Sequence, residues 1–209
     1  MYTAEHFKIS DQAEILSFMR AYSFATIITV SNNLPSATHL PFAITQEGDQ
    51  LYLHSHFAKA NKQWQHLGIN DAMVIFSEPH AYISTKHYDH EKNVPTWNYM
   101  AVHVYGKGEI ITDKEEALQE LDHMITAFEK EYKAQWDSLP ATYREGMLKS
   151  IVPFKMKVTS IEAKKKISQN RRTTEKERII DTLEKSTDTA AKTIADLMKK
   201  ERDGKINHQ

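Results

Sequence analysis

The stretch from Asn93 to Gly108, N-V-P-T-W-N-Y-M-A-V-H-V-Y-G-K-G, constrains the fold most, because it is a long strand-forming run. Successive side chains of a strand point to opposite faces. One face then carries the ring side chains Trp97, Tyr99, His103 and Tyr105, and the other is largely aliphatic. Apolar content on both faces predicts a strand in the middle of a sheet, opened by Pro95. Gly106 and Gly108 predict a bulge or a close approach of another backbone segment.

The first third of the chain predicts an antiparallel meander. A helix is expected from Ser10 to about residue 21, before a β-branched run over 24–30 that predicts a buried strand. A turn at 31–33 leads to a partner strand over 36–45, and a turn at 47–49 leads to a third strand over 51–55. A short helix over 58–67 follows the third strand. Two further strands, over 72–77 and 81–85, are expected around a turn at Glu78 and Pro79.

The rest of the chain predicts helices around one more strand. Thr112 and Asp113 predict a helix start, with an amphipathic helix to about residue 133 and another over 140–150. Alternating residues over 154–159 predict a half-buried strand, and two helices are expected after Thr173. Strands that precede the main helices are typical of an antiparallel barrel with peripheral helices, a mainly β fold with added α-helices.

Composition limits the class of protein. The 209 residues are 40% hydrophobic without a long apolar run, which indicates a soluble globular protein rather than a membrane protein. The amino end lacks a basic segment followed by an apolar core, so we expect a cytoplasmic protein. The chain has no cysteine, which excludes disulfides, thiolate metal sites and cysteine nucleophiles.

Charge is divided unevenly along the chain. The net charge of -1 combines a balance of -7 over residues 1–154 with a balance of +6 over residues 155–209. A basic region from Lys164 to Arg178 can contact nucleic acid, face an anionic cofactor, or form a solvated helical surface. The cations that a helix there would present to DNA phosphates are Arg171, Arg172, Lys176 and Arg178.

Four sequence blocks occur together in this chain: T-H-L-P at 38–41, H-S-H-F-A-K-A-N-K-Q-W at 54–64, V-P-T-W-N-Y-x-x-V-H-x-Y-G at 94–106 and K-I-S-Q-N-R at 166–171. In this order the chain resembles the PaiB family, the FMN-binding negative transcriptional regulators of bacilli and their relatives. The resemblance implies an antiparallel split β-barrel of the FMN-binding type that pairs as a homodimer. It also implies cofactor sites at the subunit interface.

The resemblance assigns the cofactor site residue by residue. Lys59 takes the place of the basic residue that holds the flavin phosphate in split-barrel flavoproteins. Those relatives have a Ser-Arg-Lys run where this chain has Ala58, Lys59 and Ala60, so His56, Asn61 or Lys62 has to supply the second anchor. The remaining residues match the strand beside the flavin ring and the strand that closes the pocket: Thr38, His39, Leu40, Trp97, Asn98 and Tyr99.

Other chemistry is open at the level of sequence. The pairs His54 with His56 and His87 with His90 have metal-ligand spacing, but solvated histidines are the commoner case and no metal site is predicted. Haem is an alternative cofactor on the same barrel, with His87, His90 or His103 as axial ligand. A flavin-dependent oxidoreductase is a second alternative, although the sequence indicates no substrate and no catalytic residue.

These patterns predict two domains. Residues 1–170 form an FMN-binding split-barrel domain, and residues 171–209 form a basic helical extension. The function that the resemblance implies is that of an FMN-binding negative regulator of transcription, of the kind that represses sporulation and degradative-enzyme genes. The expected partners are a second copy of the chain and DNA, the latter through the basic C-terminal region.

Overall fold

The computed structural model describes residues 1–206, with side chains described for residues 1–203. The strands are β1 (Phe24–Ser31), β2 (Leu34–Pro41), β3 (Ala43–Glu47), β4 (Gln50–Ala58), β5 (Ala72–Ile83), β6 (Thr96–Ile110) and β7 (Ile151–Lys166). The helices are α1 (Gln12–Ala21), α2 (Lys114–Phe128), α3 (Tyr132–Ser138), α4 (Ala141–Leu148), α5 (Thr173–Glu184) and α6 (Thr189–Ile206). Short 3-10 helices span Glu5–Phe7, Lys62–His66 and Thr85–His87.

The seven strands form one sheet in the order β2-β1-β5-β6-β7-β4-β3. Neighbours pair antiparallel, as in β1 with β2, β3 with β4 and β4 with β7. β6 lies fourth of seven, which confirms the predicted central strand. Its even-numbered residues from Asn98 to Gly108 are all buried, whereas Trp97 and Lys107 on the other face are exposed. The predicted mainly β fold with peripheral helices is confirmed.

Several local predictions were wrong. The predicted strand over 36–45 is interrupted at Phe42, and its two parts pair with different neighbours, β1 and β4. The predicted helix over 58–67 is only the 3-10 helix Lys62–His66. No turn separates residues 72–77 from 81–85, because β5 continues through the cis Glu78–Pro79 bond. Pro79 lacks the N–H that ladder pairing needs, and this suggested a turn.

The chain divides into two compact units. The first comprises Met1–Ile15, Ser77–Val102 and the chain from Ala163 onward, and the second comprises Leu16–Phe76 and His103–Glu162. Strands β5, β6 and β7 contribute residues to both units. The boundary predicted at residue 170 stays a prediction, and residues 207–209 of the proposed extension lie outside the described residues.

Helices α5 and α6 form much of the core of the first unit. Their apolar residues recur at helical spacing, so each helix has one face to bury. Ile179 and Ile194 are fully buried there, and the Glu175 carboxylate accepts from the Arg172 N–H at 3.3 Å at the start of α5. The other core members are Ala81, Ile83, Tyr88, Ile167, Ile180, Leu183, Ala191, Ala195 and Met198.

Phenylalanine rings form the centre of the second unit. Phe57 stacks on Phe154 with ring centroids 5.1 Å apart, and Phe42 contacts Phe154 and Phe76 edge-on. At the predicted close approach, a Cβ on Gly106 would lie 2.2 Å from the Lys157 carbonyl oxygen, so only glycine fits between β6 and β7. This confirms the close approach inferred from the two glycines of β6.

Two further features concern the helices. α2 begins where the sequence predicted, because the Asp113 side chain accepts hydrogen bonds from the N–H groups of Glu115 and Glu116. Within residues 1–206, no helix combines the length and the apolar character that crossing a membrane requires.

Candidate flavin site

Three polar side chains tie the segment after β4 to β2. The Asn61 amide donates to the Thr38 hydroxyl at 2.8 Å, and that hydroxyl donates to Gln63 Oε1 at 2.5 Å. The Asn61 Oδ1 accepts from the Gln63 N–H at 3.0 Å, which caps the 3-10 helix. Thr38 and Asn61, predicted separately as site residues, therefore meet in one network.

Sequence reasoning missed Gln63, the buried centre of this network. Its Nε2 donates to the carbonyl oxygens of Ser36 at 2.9 Å and Ile27 at 3.2 Å, so one amide joins β1, β2 and the 3-10 helix. The available signal was its place in the A-K-A-N-K-Q-W block, immediately before Trp64. A buried amide is tolerated here because all its polar atoms are bonded.

Lys59 lies on the turn between β4 and the 3-10 helix. Its N–H donates to the Ser150 carbonyl at 2.8 Å, and its carbonyl accepts from Trp64 Nε1 at 3.3 Å. The backbone is thus held at both ends while the side chain is exposed, and among the described residues its ammonium forms no ion pair. Lys59 also borders a largely apolar groove of about 410 Å³ whose walls include Trp64, Leu148 and Val152.

His56 on β4 has an unsatisfied polar atom. Its Nδ1 is buried and has no hydrogen-bond partner among the described residues. Burial lowers the pKa of His56, so the ring is neutral at neutral pH. A buried ring nitrogen without a partner loses the hydrogen bonds it makes in water, and a bound ligand with a suitable polar atom would restore them.

β2 is the first strand of the sheet order and pairs with β1, so among the described residues its other edge has no strand partner. His39 on this strand is exposed and stacks on Phe24 with centroids 6.3 Å apart, whereas Leu40 is buried. The resemblance implies that the backbone at Thr38, His39 and Leu40 meets a flavin ring. A strand edge with unpaired N–H and C=O groups has the hydrogen-bonding capacity for that role.

The remaining predicted residues, on β6, belong to the first unit. Trp97 is 52% exposed and contacts Tyr82, itself 53% exposed, with ring centroids 5.6 Å apart. His80 lies 5.9 Å from the Trp97 ring, and we call His80, Tyr82 and Trp97 the aromatic patch. Tyr99 is half-buried beneath the Lys164 ammonium, which lies 5.1 Å from its ring centroid.

Asn98 has a different environment from its neighbours on β6. Its side chain is fully buried, donates to the Ser168 hydroxyl at 3.0 Å and lies 3.8 Å from the Met198 sulfur. The amide therefore joins β6 to the segment after β7 inside the first unit, and its hydrogen bonds are made within the protein.

Arginines of the basic C-terminal region contact the loop between β5 and β6. The Arg171 guanidinium lies 3.8 Å from the Tyr88 ring centroid and donates to Asn93 Oδ1 at 2.9 Å. Arg178 donates to the His87 carbonyl at 2.9 Å and forms an ion pair with Asp89. Arg178 is the main reason that the pKa of Asp89 is lowered.

Lysines of the same region are also engaged within the first unit. Lys165 forms ion pairs with Glu14 at 2.7 Å and Glu201 at 3.0 Å. Lys166 donates to the Thr96 hydroxyl, and burial lowers its pKa. The positive charge that the sequence shows at 164–178 is therefore largely balanced or held in place by nearby groups.

The three histidines considered as haem ligands have dissimilar settings. His87 is buried, and burial lowers its pKa. His90 borders an open depression of about 780 Å³ lined by charged and amide side chains, a poor surface for an apolar porphyrin. His103 is half-buried on β6 in the second unit, and burial lowers its pKa.

The seven-stranded antiparallel sheet, with β2 hydrogen-bonded to the segment after β4, has the architecture of a split-barrel protein. The family described as "Putative FMN-binding domain" matches residues 1–160. Protease synthase and sporulation protein PAI 2 of Bacillus subtilis (strain 168) is 41% identical over 201 residues, covering 95% of this chain and 96% of that protein. The chain therefore belongs to this FMN-binding family, the PaiB family, as its motifs predicted.

Solved structures with low sequence identity share the fold. The FAD and haem binding protein from Mycobacterium smegmatis aligns with a TM-score of 0.60 at 14% identity, covering 82% of this chain and 78% of that one. The flavocytochrome Anf3 from Azotobacter vinelandii aligns with a TM-score of 0.58 at 18% identity, covering 79% and 72%. These similarities confirm the split-barrel fold and carry no further conclusion on their own.

Proposed function

We propose that this protein is an FMN-binding homodimer that represses transcription in the cytoplasm, as the resemblance to PaiB implies. One observation supports the flavin part most directly: the Lys59 ammonium has no ion-pair partner among the described side chains, and it lies on a turn that Asn61 and Thr38 hold against β2. We assign the flavin domain to residues 1–170 and the basic extension to residues 171–209.

The residues present fit the chemistry of FMN. A phosphate monoester needs a cation and hydrogen-bond donors, which Lys59 and the neighbouring polar side chains offer. The unpartnered Nδ1 of His56 offers a further polar contact on the same strand end. The exposed edge of β2 offers backbone groups for the polar rim of the ring. When bound, FMN would supply a redox-active ring to the site.

The homodimer is supported by the exposed aromatic patch of the first unit. Trp97 and Tyr82 leave about half of their surface in solvent, and Val94 is still more exposed. Clustered exposed apolar groups of this kind mark association surfaces more often than isolated ones do. A second copy of the chain is the partner that the family resemblance implies.

The regulatory role is supported by the Bacillus subtilis relative, whose name links that protein to protease synthesis and sporulation. Direct contact with DNA has weaker support, because Arg171, Arg178 and Lys165 already interact with groups of their own unit. The cations that remain for a phosphate are Lys176 of α5 and the exposed Arg172 at its N-cap, and Arg172 also pairs with Asp89 at 3.6 Å. If these cations do not bind DNA, the alternative is that the protein regulates transcription through another partner.

The haem alternative draws its support from the two structural neighbours, which are a flavocytochrome and a protein that binds FAD and haem. For this chain, the charged lining around His90 and the burial of His87 make flavin the better fit. A Soret band on adding haem, with no spectral change on adding FMN, would make haem the better-supported cofactor.

FMN titration of the purified chain tests the flavin proposal. We expect quenching of FMN fluorescence and a perturbed flavin absorbance that saturate at one FMN per chain. Absence of saturable binding would refute the proposal, and NAD(P)H turnover with common acceptors would instead indicate an oxidoreductase.

Gel shifts on promoter DNA test direct repression. If about four phosphates are contacted, the logarithm of the binding constant should fall with the logarithm of salt concentration at a slope of roughly -3.6. If the protein binds promoter fragments no more tightly than random DNA, direct repression is refuted and regulation must act through another partner.

A further inference from the structure

A buried histidine and a buried carboxylate meet where α2 packs on the sheet, apart from the flavin residues described above. His54 on β4 is 1% exposed, and its Nδ1 lies 2.5 Å from Glu120 Oε2 on α2. His123, one helical turn after Glu120, places its Nδ1 3.8 Å from Glu120 Oε1. The ligand-competent atoms of all three side chains lie within 4.8 Å of one another.

Thr45 on β3 orients the histidine at the centre of this cluster. Its hydroxyl lies 2.7 Å from His54 Nε2, where it could accept a hydrogen bond from the Nε2–H of a ring that binds an ion through Nδ1. An outer contact that fixes the tautomer and ring orientation of a histidine is typical of metal sites. The alternative is that the hydrogen-bonded pair of His54 and Glu120 has a purely structural role, which is to hold α2 on the sheet.

We propose that His54, Glu120 and His123 form a site for a divalent transition-metal ion of the zinc class. Two imidazoles and one carboxylate are a donor set that Zn²⁺ accepts, whereas Mg²⁺ and Ca²⁺ require mainly oxygen ligands. His123 is 49% exposed, so an ion can enter from solvent and a fourth position remains for water.

Only small movements are needed to admit the ion. Tetrahedral bonds of about 2.0–2.1 Å separate ligand atoms by about 3.3 Å. His54 Nδ1 and Glu120 Oε2 must separate by slightly less than 1 Å, and the exposed His123 ring must move so that ligand atoms now within 4.8 Å of one another come to about 3.3 Å. The bound ion would replace the hydrogen bond between His54 and Glu120, and it would crosslink β4 to α2.

Metal titration of the full chain after dialysis against a chelator tests this site. We expect one equivalent of Co²⁺ to bind with visible d–d absorption, and Zn²⁺ to displace it with micromolar affinity or better. At a Zn²⁺ concentration about 100 times the Kd, linkage predicts a rise in Tm of about 5 to 10 °C. A wild-type chain that binds neither ion in the micromolar range would overturn the proposal.

Variants separate this site from adventitious binding. His123→Ala removes an exposed ligand without disturbing the core, and we expect at least a tenfold loss of Co²⁺ affinity; Thr45→Val should cost about 10- to 100-fold. The matched control is His80→Ala, because His80 is an exposed histidine 3.5 Å from a carboxylate of Glu78. Equal affinity in His123→Ala and wild type, or an equal loss in His80→Ala, would show that the cluster is not a metal site.

Discussion

Asn61 donates a hydrogen bond from its amide to the hydroxyl of Thr38 at 2.8 Å, although 23 positions of the chain separate the two residues. This bond holds the turn that carries Lys59 against the edge strand of the sheet. A phosphate-binding cation is most effective where its backbone is already fixed, because less ordering is needed on binding. The proposed flavin site depends on this arrangement.

The first prediction concerns the proposed phosphate contact. Lys59→Ala should weaken FMN affinity by about 1 to 3 kcal/mol, the range for a charge-assisted hydrogen bond. The matched control is Lys107→Ala, which removes an exposed lysine of β6. Fluorescence titration of both variants gives the comparison. Equal FMN affinity in Lys59→Ala and Lys107→Ala would place the phosphate elsewhere.

The second prediction concerns the buried amide that joins three segments. Gln63→Leu leaves the carbonyls of Ser36 and Ile27 without their donor, at a cost of about 1 to 3 kcal/mol for each buried group left unsatisfied. Gln46→Leu is the control, because that amide makes its bond to Gly48 at the surface and should change stability by less than about 0.5 kcal/mol. Urea denaturation measures both. Similar midpoints for the two variants would contradict the structural role of Gln63.

The third prediction uses two glycines in unlike surroundings. Gly106→Ala forces a Cβ towards the Lys157 carbonyl at 2.2 Å, so we expect a loss of about 3 kcal/mol or more. Gly146 lies inside α4 with open space around the Cβ position, and Gly146→Ala should stabilise the protein by about 0.5 to 1 kcal/mol. Thermal unfolding should therefore shift in opposite directions. A Gly106→Ala variant as stable as wild type would show that β6 and β7 are farther apart.

The fourth prediction concerns pH. Burial lowers the pKa of His56, so the folded protein binds this proton less readily than the unfolded chain does. The contribution of His56 to the free energy of unfolding is fully present above pH 6.5, the ordinary pKa of the group in the unfolded chain. It is lost as the pH falls from there through the lowered pKa of the folded protein. His87 contributes with the same sign. His56→Gln should flatten the fall of unfolding free energy below pH 6.5, as measured by denaturation across pH. An unchanged slope would contradict the burial of this ring.

The fifth prediction concerns the aromatic patch. Trp97→Asp puts a charge at the centre of the proposed dimer surface and should weaken dimerisation by at least about 2 kcal/mol, as for a central interface tryptophan. Tyr143→Asp is the control, since Tyr143 is a similarly exposed ring on α4. Sedimentation over a range of concentrations measures both. A monomeric wild-type chain, or equal effects of the two variants, would remove the patch from the interface.

The sequence alone determined the elements whose signal is local. The alternation of β6, the helical spacing of Ile179, Ile180 and Leu183, and the Asp113 cap were all readable because side-chain direction follows from backbone geometry. The motif blocks likewise identified the family. These features need no knowledge of which strands pair.

Tertiary structure alone decided the partners. Gln63 is a network centre only because β1 and β2 pass beside it, and His54 meets Glu120 across 66 positions of sequence. The arginines at 171 and 178 look free in the sequence, yet pairing with a distant loop engages them. Local periodicity specifies which way a side chain points, whereas its partner depends on strand order and helix packing, which are settled only when the whole chain minimises exposed apolar surface and unsatisfied polar groups.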